Sequence, residues 1–173
     1  MGTVNSPDKV KLVISLFSNR EEFFDKAIAV LKKKLGEVDL ESNFLPINRT
    51  GYYAGEMGSD LKRKFYAFKR LISRGKIADI KIYTNSLERK LAIDNKRRIN
   101  IDPGYMSLGK FVLATTKNQQ QRIYLKKGIF AECALRYKEG GFVSWEWTYP
   151  DYATKEYRET LNAIREVYRK QIR

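Results

Sequence analysis

Residues 97–106 combine charged, amide and turn-forming side chains in a pattern that could bind a phosphate. Their sequence is RRINIDPGYM. On a β-strand, Arg98, Asn100 and Asp102 would share one face, because alternate residues point the same way. The arginines could hold a phosphate, and Asp102 could contact a ribose hydroxyl or a metal ion. The competing interpretation is structural, since Asp-Pro-Gly is typical of a turn and Asp102 would then stabilise it.

Polar side chains also recur at the ends of other apolar segments, and together they predict a cleft for a nucleotide or another phosphorylated metabolite. The β-rich segment 111–117 ends in two threonines and a lysine, which could hold phosphate, although no glycine-rich phosphate loop precedes them. A polar hairpin tip would look the same. The candidate ligand-binding residues are Glu56, Lys81, Asn85, Glu88, Arg98, Asn100, Asp102, Lys117 and Arg122.

The composition narrows the chemistry that such a cleft could perform. The chain has no histidine and a single cysteine, Cys133. Histidine-dependent triads, imidazole metal ligation and intramolecular disulfides are therefore excluded. A reaction would have to use carboxylates, lysine, tyrosine or arginine, so no catalytic residue, metal site or cofactor is assigned and enzymatic activity stays open. Glu132 and Glu146 lie within apolar strand-like segments, where we expect them to point outward into solvent.

The net charge favours a different partner, RNA or another polyanion, and this is our leading hypothesis from the sequence. The charge is +14, and residues 51–100 hold 13 basic and 5 acidic side chains, a net charge of +8. Such a concentration attracts nucleic acid, although a merely solvated basic surface is the competing explanation. The candidate polyanion-binding residues are Lys62, Arg63, Lys69, Arg70 and Arg97. A third hypothesis is a structural or interaction subunit with an exposed aromatic patch near residues 145–152.

Hydrophobic periodicity predicts the elements that would position these residues. A buried strand at 10–17 is followed by a helix that ends at Gly36. The pattern at 76–92 favours a helix, although IADIKIY could also alternate as a strand. The remaining predictions are strands at 38–47 and 52–57, a helix at 59–73 with the apolar stripe Leu61, Phe65, Phe68 and Ile72, strands from 97 onward separated by turns at 102–104, 117–121 and 138–141, and a last helix capped by Thr154.

This order predicts one α+β domain over residues 1–173. We expect a mainly antiparallel sheet with helices packed on one side, a ferredoxin-like β-α-β-β-α start, a β meander and a C-terminal helix. A partly closed barrel of the last strands is the alternative. The sequence shows neither a convincing signal peptide nor an apolar run long enough to span a membrane, and the lone cysteine fits a reducing compartment. We therefore expect a cytoplasmic protein.

Several stretches in combination resemble an uncharacterised bacterial family, a domain of unknown function of about this length. They are YYAGEMG, IKIYTNSLE, RRINIDPGYM, FVLATTK, RIYL and WTYPDY. The resemblance covers nearly the whole chain. It implies a single-domain cytosolic protein and carries no known chemistry.

Overall fold

The computed structural model describes residues 1–47 and 56–173. Within these ranges no helix is both long and apolar enough to cross a membrane. Single-turn 3₁₀ helices at Arg74–Lys76 and Pro150–Ala153 supplement the main elements. These are β1 Lys11–Ser18, α1 Glu21–Leu35, β2 Val38–Glu41, β3 Leu45–Pro46, β4 Lys62–Phe68, α2 Ile77–Lys90, β5 Asn100–Met106, β6 Lys110–Thr115, β7 Ile123–Lys126, β8 Ile129–Lys138, β9 Gly141–Ser144 and α3 Lys155–Gln171.

The described strands form one open sheet in the order β2-β4-β1-β5-β6-β8-β7, with β3 beside β4 and β9 beside β8. The strand pairs are antiparallel. The first half, β1-α1-β2-β4-α2-β5, has the order of a ferredoxin-like split βαβ unit. The remaining strands extend that sheet as a meander. The α+β class, the antiparallel sheet and the C-terminal helix predicted from the sequence are confirmed, and the barrel alternative is wrong because the sheet does not close.

The helices cover both faces of the sheet. One core joins α1 and α2 to Leu12, Ile14 and Leu16 of β1. The other face carries Val13 of β1, and there α3 packs through Leu161 and its apolar neighbours. Neighbouring residues of a strand point to opposite faces, so the two cores lie on opposite sides. The expectation that all helices pack on one side therefore holds for α1 and α2 and is wrong for α3.

The predicted helix at 59–73 is wrong, because its centre is strand β4. Phe65 and Tyr66 are both buried, the first in the core beneath α3 and the second in the core beneath α1 and α2. A central strand buried on both faces reads as a nearly continuous apolar run, which can imitate a helical stripe. The predicted strand at 52–57 lies mainly outside the described residues. Only its last two positions lie inside them, and there the prediction is wrong because both residues are helical.

The predicted turn at 102–104 is also wrong, since these residues lie inside β5. Gly104 is needed there for a close approach and not for a bend: an added Cβ would lie 2.5 Å from the Val112 carbonyl oxygen of β6. Pro103 is opposite Ile14 of β1. The Asp-Pro-Gly sequence therefore occupies the interior of a sheet, at the point where β5 begins to leave β6.

Candidate functional site

The sheet splits between β5 and β6. Met106 of β5 is opposite Phe111 of β6, and the pairing ends where Gly104 is opposite Leu113. On its other side, β5 remains paired with β1 as far as Asn100. Pro103 contributes to the split because it has no N–H to donate to a neighbouring strand. From Pro103 back to Asn100, the edge of β5 that would otherwise pair with β6 is open.

Side chains of α2 replace β6 along this open edge. Glu88 accepts the Ile101 N–H at 2.6 Å, and Lys81 donates to the Ile101 carbonyl oxygen at 3.1 Å. Both backbone groups of one residue in an antiparallel strand point to the same side, so Ile101 turns them away from β1. The gap is therefore stabilised by two helix side chains that are two turns apart.

A cavity of about 570 Å³ occupies the split. It lies between α2 and the 3₁₀ turn at 150–153. Six of its lining side chains are basic and four are acidic, so the formal charge of the lining is +2. The lining residues are Arg63, Lys81, Asn85, Glu88, Arg89, Arg97, Asn100, Asp102, Leu113, Ala114, Thr115, Thr116, Lys117, Arg122, Glu132, Tyr149, Pro150, Asp151 and Tyr152.

Asp102 is the centre of a hydrogen-bonded chain along one wall. Its carboxylate accepts from Lys81 Nζ at 3.1 Å and from the Asn100 amide at 2.6 Å. The Asn100 oxygen in turn accepts from Arg97 at 2.6 Å, and Arg97 also binds Glu56 at 2.7 Å. Burial alone would raise the pKa of Asp102, but the charges of Lys81 and Arg63 and the two hydrogen bonds hold it below its ordinary value. Asp102 is therefore a carboxylate at neutral pH.

Glu88 lies on the same wall, and its pKa is raised, whereas that of Asp102 is lowered. Burial raises the pKa of Glu88 to about 7, and the charge of Asp102 adds to this, while Lys81, the Ile101 N–H and Arg97 oppose it. The second carboxylate oxygen of Glu88 lies 3.7 Å from Arg97. One wall thus holds a permanent carboxylate beside a carboxyl group that changes protonation near neutral pH, which is an arrangement typical of proton-transfer sites.

Arg63 places a buried cation near Asp102. It is 6% exposed and donates to Ser15 at 3.2 Å and to the Tyr152 hydroxyl at 3.0 Å. Burial would lower the pKa of Arg63, but Tyr152, Tyr157 and Asp102 raise it above its ordinary value. The guanidinium also lies 4.9 Å from the centre of the Phe17 ring. Arg63 is therefore a permanent buried positive charge at the cavity.

Arg122 and Glu132 form a buried ion pair at the far side of the cavity. Arg122 Nε donates to Glu132 Oε2 at 2.6 Å, and its other nitrogens donate to the Lys117 carbonyl and the Tyr149 hydroxyl. Both side chains are 2% exposed. The expectation that Glu132 is solvated is therefore wrong, whereas Glu146 is exposed as expected. No local sequence pattern predicts this pair, because Arg122 precedes β7 and Glu132 lies in β8.

The structure brings most of the candidate ligand-binding residues into this one cavity. Glu56 lies outside the lining and is joined to it through Arg97. Arg98 precedes β5 and is not in the lining, so its predicted place on a strand face with Asn100 and Asp102 is wrong, and Arg97 contacts Asn100 instead. The candidates in the lining are Lys81, Asn85, Glu88, Asn100, Asp102, Lys117 and Arg122.

The candidate polyanion-binding residues do not form one surface. Arg63 is buried, and Lys62 beside it binds Glu21 at 2.9 Å. Lys69 and Arg70 are exposed beyond the other end of β4. Arg97 lines the cavity. The helix face that would have united four of these residues is absent, because β4 is a strand.

Comparison with known proteins identifies a family and no activity. Residues 8–168 match the model of a family described as Domain of unknown function (DUF4416). This match confirms the resemblance to a domain family of unknown function. No curated protein and no solved structure matches the chain.

Proposed function

We propose that this chain, which belongs to the DUF4416 family, binds a nucleotide or a similar phosphorylated small molecule in the cavity at the sheet split. The observation that carries the proposal is the enclosure of six basic side chains around one cavity of about 570 Å³. Pockets for small molecules commonly measure about 300–1,000 Å³, so a molecule of nucleotide size would fit. The excess of basic groups favours an anionic ligand.

The basic groups on the α2 side supply the phosphate end of this site. Arg89 is exposed at the mouth of the cavity, and Lys81 lies deeper, where it holds Asp102. Asn85 lies between them on the same helix face, since positions 81, 85 and 89 are spaced by four residues. A phosphate at this place would meet ammonium, amide and guanidinium donors from one rigid helix.

Glu88 makes a reaction at the same site a natural extension of the proposal. Its pKa near 7 suits a group that accepts or donates a proton at neutral pH. The neighbouring Lys81 and Asp102 would orient the ligand. We also propose a cytoplasmic location, which the single cysteine supports.

Isothermal titration calorimetry with AMP, GMP, CMP, UMP and ribose 5-phosphate tests the binding proposal. The variant Arg89→Ala removes an exposed guanidinium from the cavity mouth, and Arg70→Ala removes another exposed one beyond the far end of β4. We expect at least one ligand to bind wild type, Arg89→Ala to weaken its binding about tenfold, and Arg70→Ala to leave it unchanged. Equal effects of the two variants, or no binding at millimolar ligand, would overturn the proposal.

RNA or another polyanion is the second candidate, and the net charge of +14 is the observation that favours it. This proposal predicts the reverse result for the two arginine variants with an RNA probe, since the exposed Arg70 would contribute to binding. Titration of labelled single-stranded RNA from about 50 to 200 mM salt measures the number of phosphate contacts. A flat salt dependence would end the RNA proposal.

A further inference from the structure

Glu132 has one carboxylate oxygen that its protein neighbours do not engage. Oε2 accepts from Arg122 at 2.6 Å and from Gln121 at 3.2 Å. Oε1 is buried and accepts no hydrogen bond from the described residues. Buried polar atoms nearly always have a partner, because an unsatisfied one carries the full cost of leaving water. Glu132 lines the cavity, so a ligand that displaces the atoms covering Oε1 can supply that partner.

The position of Glu132 sets how far a ligand must reach. Glu132 is opposite Leu113 of β6, which is itself opposite Gly104 of β5. It therefore lies two strands away from β5, or about 10 Å at ordinary strand spacing. Residues directly opposite in a sheet share a face, so Glu132, Leu113 and Gly104 lie on the same side. Asp102 is two residues from Gly104 along β5 and therefore lies on that side as well. A free phosphate is too small to contact both Glu132 and the β5 side of the cavity, whereas a nucleotide spans the distance between them.

We propose that Glu132 reads the base of the nucleotide by accepting an N–H from its edge through Oε1, while the phosphate lies on the α2 side. This inference rests on the proposed function. A carboxylate oxygen accepts hydrogen bonds and cannot donate them, so the site selects bases that present an N–H donor. Tyr149, which is half exposed in the lining and is held by Arg122, provides an aromatic wall beside this position.

The test compares natural nucleotides with purine riboside 5′-monophosphate, whose base carries no N–H donor. We expect the best of AMP, GMP, CMP and UMP to bind wild type at least about tenfold more tightly than this analogue, because the analogue leaves Oε1 without a partner. Calorimetry on the wild-type protein alone can therefore support or reject the inference.

The variant Glu132→Gln sharpens the test. Arg122 and Gln121 both donate to the Oε2 position, so they keep the amide oxygen there and turn the amide nitrogen toward the ligand. The open position then becomes a donor, and we expect the preference for N–H-bearing bases to fall below about threefold or to reverse. Glu146→Gln, which replaces an exposed carboxylate outside the lining, should keep the preference.

The possible failures are distinguishable. If no nucleotide and no sugar phosphate binds, the proposed function itself fails. If nucleotides bind wild type with the same affinity as purine riboside 5′-monophosphate, the phosphate site stands and the role of Glu132 is wrong. A preference that persists unchanged in folded Glu132→Gln, as judged by circular dichroism, would also overturn the inference.

Discussion

The carboxyl group of Glu88 should make the stability of the fold depend on pH, and the variant Glu88→Gln isolates this effect. Burial is the main cause that raises the pKa of Glu88 from 4.5 to about 7 in the folded chain. An acid with a raised pKa binds its proton more tightly in the folded state than in the unfolded state. Its contribution to stability is therefore complete below the unfolded pKa and is lost as the pH rises through about 7.

The size of the effect follows from the difference between the two pKa values, which corresponds to about 3 kcal/mol of unfolding free energy. Glutamine keeps an oxygen that can accept the Ile101 N–H and removes the titration. The unfolding free energy of Glu88→Gln should thus resemble that of wild type near pH 4. At pH 8.5 it should exceed that of wild type by up to about 3 kcal/mol.

Urea unfolding between pH 4 and pH 8.5 measures this difference, with the fluorescence of Trp145 and Trp147 as the signal. Other titrating groups contribute equally to both proteins, so the difference curve reports Glu88. Glu22→Gln is the matched control, because this carboxylate is 54% exposed on α1, and it should change the free energy by less than about 0.5 kcal/mol at any pH. Parallel curves for wild type and Glu88→Gln would refute the reasoning.

Three further substitutions test how the sheet and its surroundings are held together. Gly104→Ala should lower the unfolding free energy by about 3 kcal/mol in urea titrations, because the new Cβ would lie 2.5 Å from the Val112 carbonyl oxygen; an unchanged midpoint would contradict this. Lys11→Met should cost about 3 kcal/mol, since the fully buried ammonium is bound to Asp39 at 2.7 Å, and a neutral result would show that the pair is dispensable. Leu161→Ala should lower the melting temperature by about 6–12 °C through a cavity beneath α3, as differential scanning calorimetry would measure; no decrease would place Leu161 outside the core.

Elements with one buried face are the ones that sequence periodicity predicts well. In α2, the residues Ile77, Ile80, Thr84 and Leu87 are buried at the predicted helical spacing. The helix after β1 ends at Gly36, whose φ of 102° favours glycine. In both cases the solvent-facing side of the helix remains polar, so the period is visible in the sequence.

Elements buried on two faces defeat the same reasoning. Strand β4 is apolar on both sides, and its residues therefore matched a helical stripe as well as a strand. The Asp-Pro-Gly sequence of β5 followed the rules of a turn, but its surroundings decide otherwise. Gly104 is required by the closeness of β6, and Pro103 lies where the two strands separate. Such a split is a property of three neighbouring elements and has no local signature.

The candidate site shows the same division. Polar residues at strand ends and on one helix face were predictable as a group, and the structure places seven of the nine around one cavity. Arg63 was missed as a cavity group because it lies in the basic run 62–64, which was assigned to a helix face, and Glu132 because it was expected to point into solvent. Their position became evident only when the neighbours were known: Tyr152 for Arg63 and Arg122 for Glu132.

A crystal structure of the protein grown with the nucleotide that binds most tightly in calorimetry tests the central claim most directly. The account predicts one nucleotide in the split between β5 and β6, with its phosphate on the α2 side beside Lys81 and Arg89 and an N–H of its base at Glu132 Oε1. A nucleotide bound elsewhere while the split holds none, for example beside Lys69 and Arg70 beyond the far end of β4, would contradict it.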